Sequence, residues 1–386
     1  MSGVRFDFGS GRADPETFPT QALKAAAVRA IEHEAEALTR YPGGLGHLGL
    51  RQAMAQREQD REGVPVNPDH LILTNGSMQG VTLSAQTLQE QPGDVVLMEE
   101  FSYPGTLSAY RSLKLQMVGI PLSEDGMQLD VLEARLTELA AAGRQARFIY
   151  TISTYQNPSG FVMPRENRLR LIELARRFDV PVVEDNCYAD VHYEGAVPPA
   201  LYALDDDPRQ IYICSLSKIL GPGLRMGYVL ARPPMLERLL AHRNDAGSNL
   251  LAAAVIAEFY AGEDGIWAHA RHTNAALKIK RDLLLQRLEE ELNDICVWSR
   301  PAGGLFVWVR LPDDVDRKRL WQVCESRGVY YLPGSAFHVA AADVPYLRLA
   351  FGHLSLQDID EGVGELARCI REARSSNEAR SFERLF

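Results

Sequence analysis

The chain has 386 residues, of which 41 are lysine or arginine and 51 are aspartate or glutamate, so the formal net charge is −10. Hydrophobic residues make up 46% and charged residues 24%, which is typical of a soluble globular protein and excludes a disordered or fibrous chain. The acidic balance argues against nucleic acid as the main partner, because phosphate binding needs a basic face. At roughly 150 residues per unit, we expect two or three folded units.

Neither a targeting segment nor a membrane span is predicted. The first residues carry Arg5, Asp7 and Arg12 and lack the apolar core of a signal peptide. The apolar run at 250–257 is far shorter than the ~20 residues that cross a bilayer. The 5 cysteines contain no CxxC pair, which favours reduced thiols over a disulfide framework or a zinc site. These features predict a cytoplasmic protein with no metal ion and no membrane or nucleic-acid partner.

Short apolar runs alternate with helical periodicity along the first 231 residues. Strands are predicted at 71–74, 95–98, 116–120, 147–150, 180–184, 211–214 and 227–231. Helices are predicted between them at 78–88, 106–113, 129–141 and 165–178. This βαβ alternation predicts an α/β protein with a mainly parallel sheet and helices on both faces.

The C-terminal part predicts a smaller α+β unit. A long charged helix at 274–292 leads into it. Its strands are predicted at 304–310 and 346–351, and its helices at 317–326 and 356–373. We expect the N-terminal forty residues to complete this unit. The predicted division is an N-terminal segment at 1–40 that joins the small domain, a large domain at 41–280 and a small C-terminal domain at 281–386.

The first chemical candidate is the segment Ser215–Arg225, which follows a predicted strand. In it, Lys218 stands beside two hydroxyl residues and before a Gly-Pro-Gly turn that leads to an arginine. A lysine with a flexible stem and a shiftable pKa suits a Schiff-base nucleophile next to an anion. The alternative is a surface lysine on a loop, and this segment alone does not decide between the two.

A second candidate is the strand-to-helix turn at 74–79, with the sequence Thr-Asn-Gly-Ser-Met-Gln. Free backbone N–H groups and the positive end of the helix dipole gather at such a turn, which makes it a site for phosphate. A simple β-to-α turn without a ligand is an almost equally good interpretation.

Three further segments place polar side chains at strand ends or on a buried strand. Asp185 and Tyr188 follow the strand at 180–184, at the edge where open α/β sheets bind ligands. An acid there could hold a ring nitrogen in its protonated form, or cap the loop. Asn157 lies in a turn with its side-chain amide available for hydrogen bonds. Arg348 alternates with apolar residues and needs a carboxylate, from the protein or from a substrate.

In this order, the five segments resemble those of the class I/II aminotransferases, which are pyridoxal-phosphate enzymes of fold type I. The likeness begins at Phe8–Pro19 and is closest to the branch that contains 2-aminoadipate and kynurenine aminotransferases. It implies a mainly parallel seven-stranded sheet between helices, with a smaller α+β domain. It also implies a homodimer that uses pyridoxal 5′-phosphate to move the amino group of an L-amino acid to a 2-oxo acid.

The resemblance assigns roles to the residues that match the family's motifs. Lys218 would form a Schiff base with the cofactor and move the proton of the substrate α-carbon. Asp185 would pair with the protonated pyridine nitrogen. Tyr188 and Asn157 would hydrogen-bond the phenolic oxygen of the ring, and Tyr103 would stack on the ring face.

The resemblance also assigns the binding of phosphate and substrate. The residues around the phosphate would be Gly76, Ser77, Met78, Ser215, Ser217 and Arg225. Tyr41 matches the tyrosine that reaches the phosphate from the partner subunit, so that the homodimer would complete the site. Arg348 would bind the substrate α-carboxylate through a bidentate pair, and Asn157 would also contact the substrate.

Three positions depart from the family's pattern. Met78 stands where glutamine is common, Arg12 stands where an aliphatic residue is common, and the segment 43–47 beside Tyr41 is unusually rich in glycine. Arg12 would contact the substrate side chain or form a surface ion pair, and both interpretations stay open. The departures also leave room for a second reaction class, in which the same lysine catalyses elimination or cyclisation (a cyclodehydratase of hydroxyarginine, for example), decarboxylation or oxidation.

Overall fold

The computed structural model describes residues 3–262 and 265–374; residues 375–386 of the predicted small domain lie outside this range. The strands within it are β1 (Phe6–Asp7), β2 (Leu71–Thr74), β3 (Val95–Glu99), β4 (Gln116–Ile120), β5 (Leu122–Ser123), β6 (Gly126–Met127), β7 (Ala146–Thr151), β8 (Val182–Asp185), β9 (Ile211–Ser215), β10 (Gly227–Ala231), β11 (Val297–Trp298), β12 (Phe306–Arg310), β13 (Val329–Tyr330), β14 (Leu332–Pro333) and β15 (Tyr346–Ala350).

The α-helices of the same residues alternate with the strands in the first part of the chain and flank them in the last. They are α1 (Thr20–Glu34), α2 (Leu48–Glu62), α3 (Ser77–Leu88), α4 (Pro104–Ser112), α5 (Leu129–Ala141), α6 (Arg165–Arg177), α7 (Leu201–Leu204), α8 (Met235–His242), α9 (Leu250–Ala261), α10 (Gly265–Leu292), α11 (Arg317–Ser326) and α12 (Leu356–Glu372). Within the described residues, no helix combines the length and the apolar character that a membrane span needs.

The central sheet has seven strands in the order β2-β10-β9-β8-β7-β3-β4. Strand β10 is antiparallel to both of its neighbours, and the other pairs are parallel. Successive side chains of a strand point to opposite faces of the sheet. The neighbours Val95 and Val96 of β3 therefore pack in two different hydrophobic cores. Helices α3, α4 and α8 cover one face, and α5 and α6 cover the other. The predicted α/β fold with a mainly parallel seven-stranded sheet is confirmed.

The smaller unit is built on an antiparallel sheet in the order β11-β12-β15-β14. Its core also takes up Phe6 and Phe8, because β1 pairs in parallel with β13. Helix α1, by contrast, packs on α9 of the large unit, where Arg29 Nε lies 2.9 Å from Glu258 Oε2. The N-terminal forty residues therefore contact both units, and the predicted division of the chain stays a prediction.

The predicted elements differ from the observed ones mainly in the helices. Helices α1, α2, α7, α8 and α9 were not predicted. The apolar run at 250–257 lies inside α9, whose start is capped by Asn249: its side chain accepts a hydrogen bond from Ala252 N at 2.9 Å. Helix α10 starts at Gly265, well before the predicted Asn274. A helix that is apolar on most sides shows no clear amphipathic period, so periodicity does not reveal it.

Candidate active site

Asp185 is the last residue of β8, in the middle of the sheet, and it is 6% exposed. The apolar residues before it carry its carboxylate into the interior at the C-terminal edge of the sheet. Tyr150 of β7 donates its hydroxyl to Oδ2 at 2.8 Å. Among the described residues, Oδ1 has no hydrogen-bond partner. Burial raises the pKa of Asp185 because it penalises the charged form, and contacts with Cys187 and Tyr150 oppose this rise only in part.

Lys218 lies on the turn that follows β9. The turn is held by Ser215, the last strand residue, whose hydroxyl oxygen accepts a hydrogen bond from Ser217 N at 3.2 Å. The Lys218 ammonium donates to the backbone oxygen of Gly11 at 3.1 Å and lies 5.5 Å from the centre of the Tyr188 ring. Burial lowers the pKa of Lys218, because the ammonium loses hydration. More of the amine is therefore neutral and able to accept a proton than in an exposed lysine.

The turn between β2 and α3 lies against Arg225. Gly76 has a φ of +83°, and a Cβ at this position would lie 2.4 Å from Arg225 Nη2, so only glycine fits. Arg225 donates to the backbone oxygen of Asn75 at 3.1 Å. The first N–H groups of α3, which starts at Ser77, have no acceptor within the helix. The N–H groups and the guanidinium together suit an anion such as phosphate.

Arg348 of β15 connects the small domain to the same site. Its Nη1 donates to Asn157 Oδ1 at 2.9 Å and its Nη2 to the backbone oxygen of Gly9 at 2.6 Å. Asn157 in turn donates to the Tyr188 hydroxyl at 3.2 Å. The guanidinium lies 4.1 Å from the centre of the Phe306 ring. Burial lowers the pKa of Arg348 to about 10, which still leaves it cationic at neutral pH.

One cavity of about 160 Å³ joins most of these groups. The predicted cofactor residues that line it are Ser77, Met78, Tyr103, Asp185, Tyr188, Ser215, Ser217, Lys218 and Arg225. Gly76 and Asn157 contact Arg225 and Tyr188 of its wall, and Arg348 is connected to Tyr188 through Asn157. The structure thus brings together side chains that the sequence separates by more than 250 residues.

Two further sequence-predicted site residues, Tyr41 and Arg12, also do not line this cavity in the single chain. Tyr41 is 86% exposed. The Arg12 side chain is 57% exposed, and its Nη2 lies 3.8 Å from Asp7 Oδ2. The backbone near Arg12 does reach the site, since the Gly9 and Gly11 oxygens accept hydrogen bonds from Arg348 and Lys218.

Sequence reasoning missed two side chains next to Asp185. Tyr150 ends a predicted strand, but only the observed order of β7 and β8 shows that its hydroxyl meets the carboxylate. Cys187 lies inside a segment that was singled out, yet it received no role; it lines the cavity. A strand-end tyrosine has no sequence signal of its own, because strand order is a tertiary property.

Comparison with known proteins points to one family. The model of the family described as aminotransferase class I and II matches residues 6–366. Aromatic-amino-acid aminotransferase 1 of Thermococcus litoralis is 34% identical over 364 residues, which are 94% of this chain and 87% of that relative.

Solved structures agree with this family. The multiple substrate aminotransferase of Thermococcus profundus superposes with a TM-score of 0.91 at 33% identity, covering 97% of this chain and 92% of the other. The α-aminoadipate aminotransferase LysN of Thermus thermophilus superposes with a TM-score of 0.88 at 29% identity, covering 96% and 93%. That crystal structure contains N-(5′-phosphopyridoxyl)-L-leucine.

Proposed function

The chain belongs to the class I and II aminotransferases, and we propose that the cavity around Lys218 is its active site. It is an amino-acid aminotransferase of fold type I that uses pyridoxal 5′-phosphate. The observation that carries the site assignment is the buried Oδ1 of Asp185, a carboxylate oxygen without a partner in the described part of the chain. It belongs to the same cavity as the Lys218 amine.

The residues present fit this cofactor. A buried carboxylate without a cation is unfavourable, and a protonated ring nitrogen would supply the missing charge to Asp185. The β2–α3 turn offers N–H donors beside Arg225, as a phosphate requires. The other residues that we assign to the phosphate are Gly76, Ser77, Met78, Ser215 and Ser217. Both binding features occur in one cavity, which supports a single ligand that carries a ring nitrogen and a phosphate.

Bound pyridoxal phosphate supplies an electron-withdrawing ring that makes the α-proton of an attached amino acid acidic. In our proposal Lys218 accepts this α-proton, since its lowered pKa favours the neutral amine, and passes it to the cofactor; in the reverse half-reaction it moves a proton from the cofactor to the α-carbon. Asp185 holds its negative charge at the ring nitrogen. Tyr188 and Asn157 hydrogen-bond the phenolic oxygen, and Tyr103 covers the ring face.

We assign the substrate α-carboxylate to Arg348. This guanidinium is buried, cationic at neutral pH, and has one N–H, at Nε, without an acceptor among the described residues. Asn157 contacts Arg348 and so lies beside the same carboxylate. We assign Arg12 to the substrate side chain. Support comes from its place on the segment whose Gly9 and Gly11 oxygens touch Arg348 and Lys218.

A single-turnover experiment tests the proposed reaction at this site. The loaded enzyme is mixed with one amino acid at a time, without any 2-oxo acid, starting with an aromatic amino acid and α-aminoadipate. An aminotransferase releases one equivalent of 2-oxo acid per site and stops, because the amino group stays on the enzyme. Continued release of product or ammonia would contradict the proposal. Lys218→Ala, treated in the same way, should release none.

The homodimer is part of the proposal. Tyr41 is exposed, and so are the apolar side chains of Leu48 (51%) and Leu251 (44%), which supports the proposal because a second copy would cover exposed apolar side chains. Mixing two variants tests the role of Tyr41. If it serves the partner's site, a heterodimer of Tyr41→Ala and Lys218→Ala contains one site with both residues intact. Activity should then exceed that of Tyr41→Ala alone; no gain would place Tyr41 outside the partner's site.

The division into domains and the cytoplasmic location are also proposals. Helix α10 supports a boundary near residue 280, since Leu277 lies in a core of the large unit while Leu284 lies in the core of the small unit. The 5 cysteines are free and buried, which is consistent with a reducing compartment. Thiol titration of the unfolded protein should find all of them reduced.

A further inference from the structure

Two buried hydroxyl groups lie behind Asp185. The Tyr150 hydroxyl oxygen lies 2.8 Å from Oδ2 of Asp185 and 3.2 Å from Oγ1 of Thr106. Tyr150 and Thr106 are completely buried. Neither residue lines the cavity. The hydrogen bond to Asp185 connects Tyr150, and through it Thr106, to the cavity.

The direction of both hydrogen bonds follows from the groups involved. A hydroxyl has one hydrogen to donate, and an ionised carboxylate can only accept. Tyr150 therefore donates to Asp185, and its oxygen accepts the hydrogen of Thr106. Burial raises the pKa of Tyr150 well above its usual value, so it keeps this hydrogen at every working pH. The Thr106 hydroxyl thus donates to the Tyr150 hydroxyl, which donates to the Asp185 carboxylate.

The two residues come from different elements. Tyr150 lies on β7, next to the strand that ends in Asp185. Thr106 lies in the first turn of α4, three residues after Tyr103, which we assign to the ring face. One hydrogen-bonded chain thus connects the helix that carries the ring-face residue to the strand that carries the ring-nitrogen residue.

We infer that Thr106 and Tyr150 are positioning residues, a hydroxyl relay that holds Oδ2 of Asp185 and leaves Oδ1 to the cofactor's ring nitrogen. The inference rests on the proposed role of Asp185. A donor to a buried carboxylate favours its charged form. Without the relay, Asp185 takes up a proton at a higher pH, and its attraction for a cationic ring weakens.

Tyr150→Phe tests the relay, and Tyr110→Phe is its matched control. Tyr110 is equally buried, its ring centre lies 5.7 Å from that of Tyr150, and its hydroxyl has no hydrogen-bond partner among the described residues. Apoprotein is titrated with pyridoxal phosphate at several pH values, and binding is followed by protein fluorescence. For Tyr150→Phe we expect roughly tenfold weaker binding at neutral pH. We also expect the acid limb of its binding curve, the pH range in which cofactor binding is lost on acidification, to move up by about one pH unit. Tyr110→Phe should match the wild type in both respects.

A second pair of variants tests the outer end of the relay. Thr106→Val removes the hydroxyl at nearly constant volume, and Thr106→Ser keeps it. The valine variant should shift the acid limb in the same direction as Tyr150→Phe by a smaller amount, and the serine variant should restore it. In the cofactor-loaded Thr106→Val enzyme, kcat should fall while the KM for the amino acid stays constant, because Arg348 is unchanged.

Asp185→Asn separates the relay from the role of Asp185. If this variant binds the cofactor and transfers amino groups like the wild type, the role of Asp185 is wrong and the relay falls with it. If Asp185→Asn fails but Tyr150→Phe keeps the wild-type pH dependence, the relay alone is overturned. Equal effects of Tyr150→Phe and Tyr110→Phe would also overturn it, since packing would then explain both.

Discussion

Two buried clusters of polar side chains use their hydrogen-bonding groups differently. In the first, both oxygens of Glu58 are occupied: Oε1 accepts from Arg57 at 3.0 Å and from Tyr228, and Oε2 accepts from Arg61 and from Tyr202 at 2.8 Å. In the second, around Asp185, one carboxylate oxygen has no partner among the residues that the structure describes. Both carboxylates are almost completely buried.

The pKa values of these carboxylates move in opposite directions. Burial acts to raise the pKa of Glu58, but Arg61 and Arg57 more than offset it, so this pKa lies below its usual value. At Asp185 burial prevails, and the pKa is raised, because the contacts with Cys187 and Tyr150 and the charge of Lys218 together offset burial only in part. The carboxylate of the first cluster finds all its partners within the protein and serves stability. The second is incomplete until a cation arrives, which is the property of a binding site.

The largest effect is expected for Lys218→Ala. Loss of the amine that we assign to proton transfer should lower amino transfer at least about a thousandfold. Steady-state rates with an amino acid and a 2-oxo acid measure this, and the melting temperature should hardly change. Lys278→Ala is the control, since Lys278 forms a surface pair with Asp282 at 2.6 Å. A rate near that of the wild type would remove Lys218 from the mechanism.

Substituting each carboxylate tests the comparison directly. Glu58→Gln leaves Arg57 and Arg61 without their shared carboxylate, and the free energy of unfolding should fall by roughly 3–5 kcal/mol. Asp185→Asn should slightly stabilise the cofactor-free protein at neutral pH: with a folded pKa raised above the unfolded one, the ionised group opposes folding. Denaturant unfolding of both apoproteins measures the difference. Equal destabilisation by the two substitutions would mean that both carboxylates stabilise the cofactor-free protein.

A pH series extends the test to Glu99, which is buried near Asp185. Burial raises the pKa of Glu99 from 4.5 to about 7, despite a hydrogen bond from Thr151 at 2.6 Å. Its contribution to stability is complete below the unfolded pKa and is lost as the pH rises through about 7. This loss amounts to roughly 3 kcal/mol, and Glu99→Gln should abolish it. Unfolding midpoints between pH 5 and pH 8 that change equally in both proteins would contradict this assignment.

Arg348→Gln should affect substrate binding more than chemistry. Loss of a charge-assisted bidentate pair with the α-carboxylate should raise the KM for the amino acid roughly a hundredfold. Initial rates over a range of amino-acid concentrations separate KM from kcat. Arg310→Gln, on the neighbouring strand β12, removes an exposed arginine that pairs with Asp313 at 3.1 Å and should leave both constants unchanged. A purely structural Arg348 would instead lower the melting temperature at constant KM.

The smallest effect is expected for Arg12→Ala. If Arg12 contacts the substrate side chain, the preference for an acidic over an aromatic amino acid should fall severalfold, about the value of one exposed ion pair. The ratio of kcat/KM for the two substrates measures this preference. An unchanged ratio would identify Arg12 as a surface partner of Asp7, 3.8 Å away, with no role in specificity.

The sequence by itself determined the fold class and the candidate residues of the site. The strands with apolar runs were predicted to within two residues because their burial on both faces leaves a continuous signal, as in β2 and β10. Lys218, Asp185 and Arg348 were singled out because each lies on, or a few residues after, such a strand, and the resemblance to the class I/II aminotransferases supplied their predicted roles. The parallel strands β8 and β9 end at one edge, which brings Asp185 and Lys218 together, whereas Arg348 comes from the separate antiparallel sheet.

Only the tertiary structure decided which buried groups meet. The relay of Thr106 and Tyr150 depends on the order of β7 and β8, and the occupied oxygens of Glu58 depend on tyrosines from three separate segments. Helix α9 escaped prediction because it is apolar on most sides. Local sequence encodes the spacing of hydrophobic residues and the residue types at turns. Contacts between distant segments depend instead on how the cores pack. Whether a buried carboxylate is saturated or left open to a ligand is decided by those contacts.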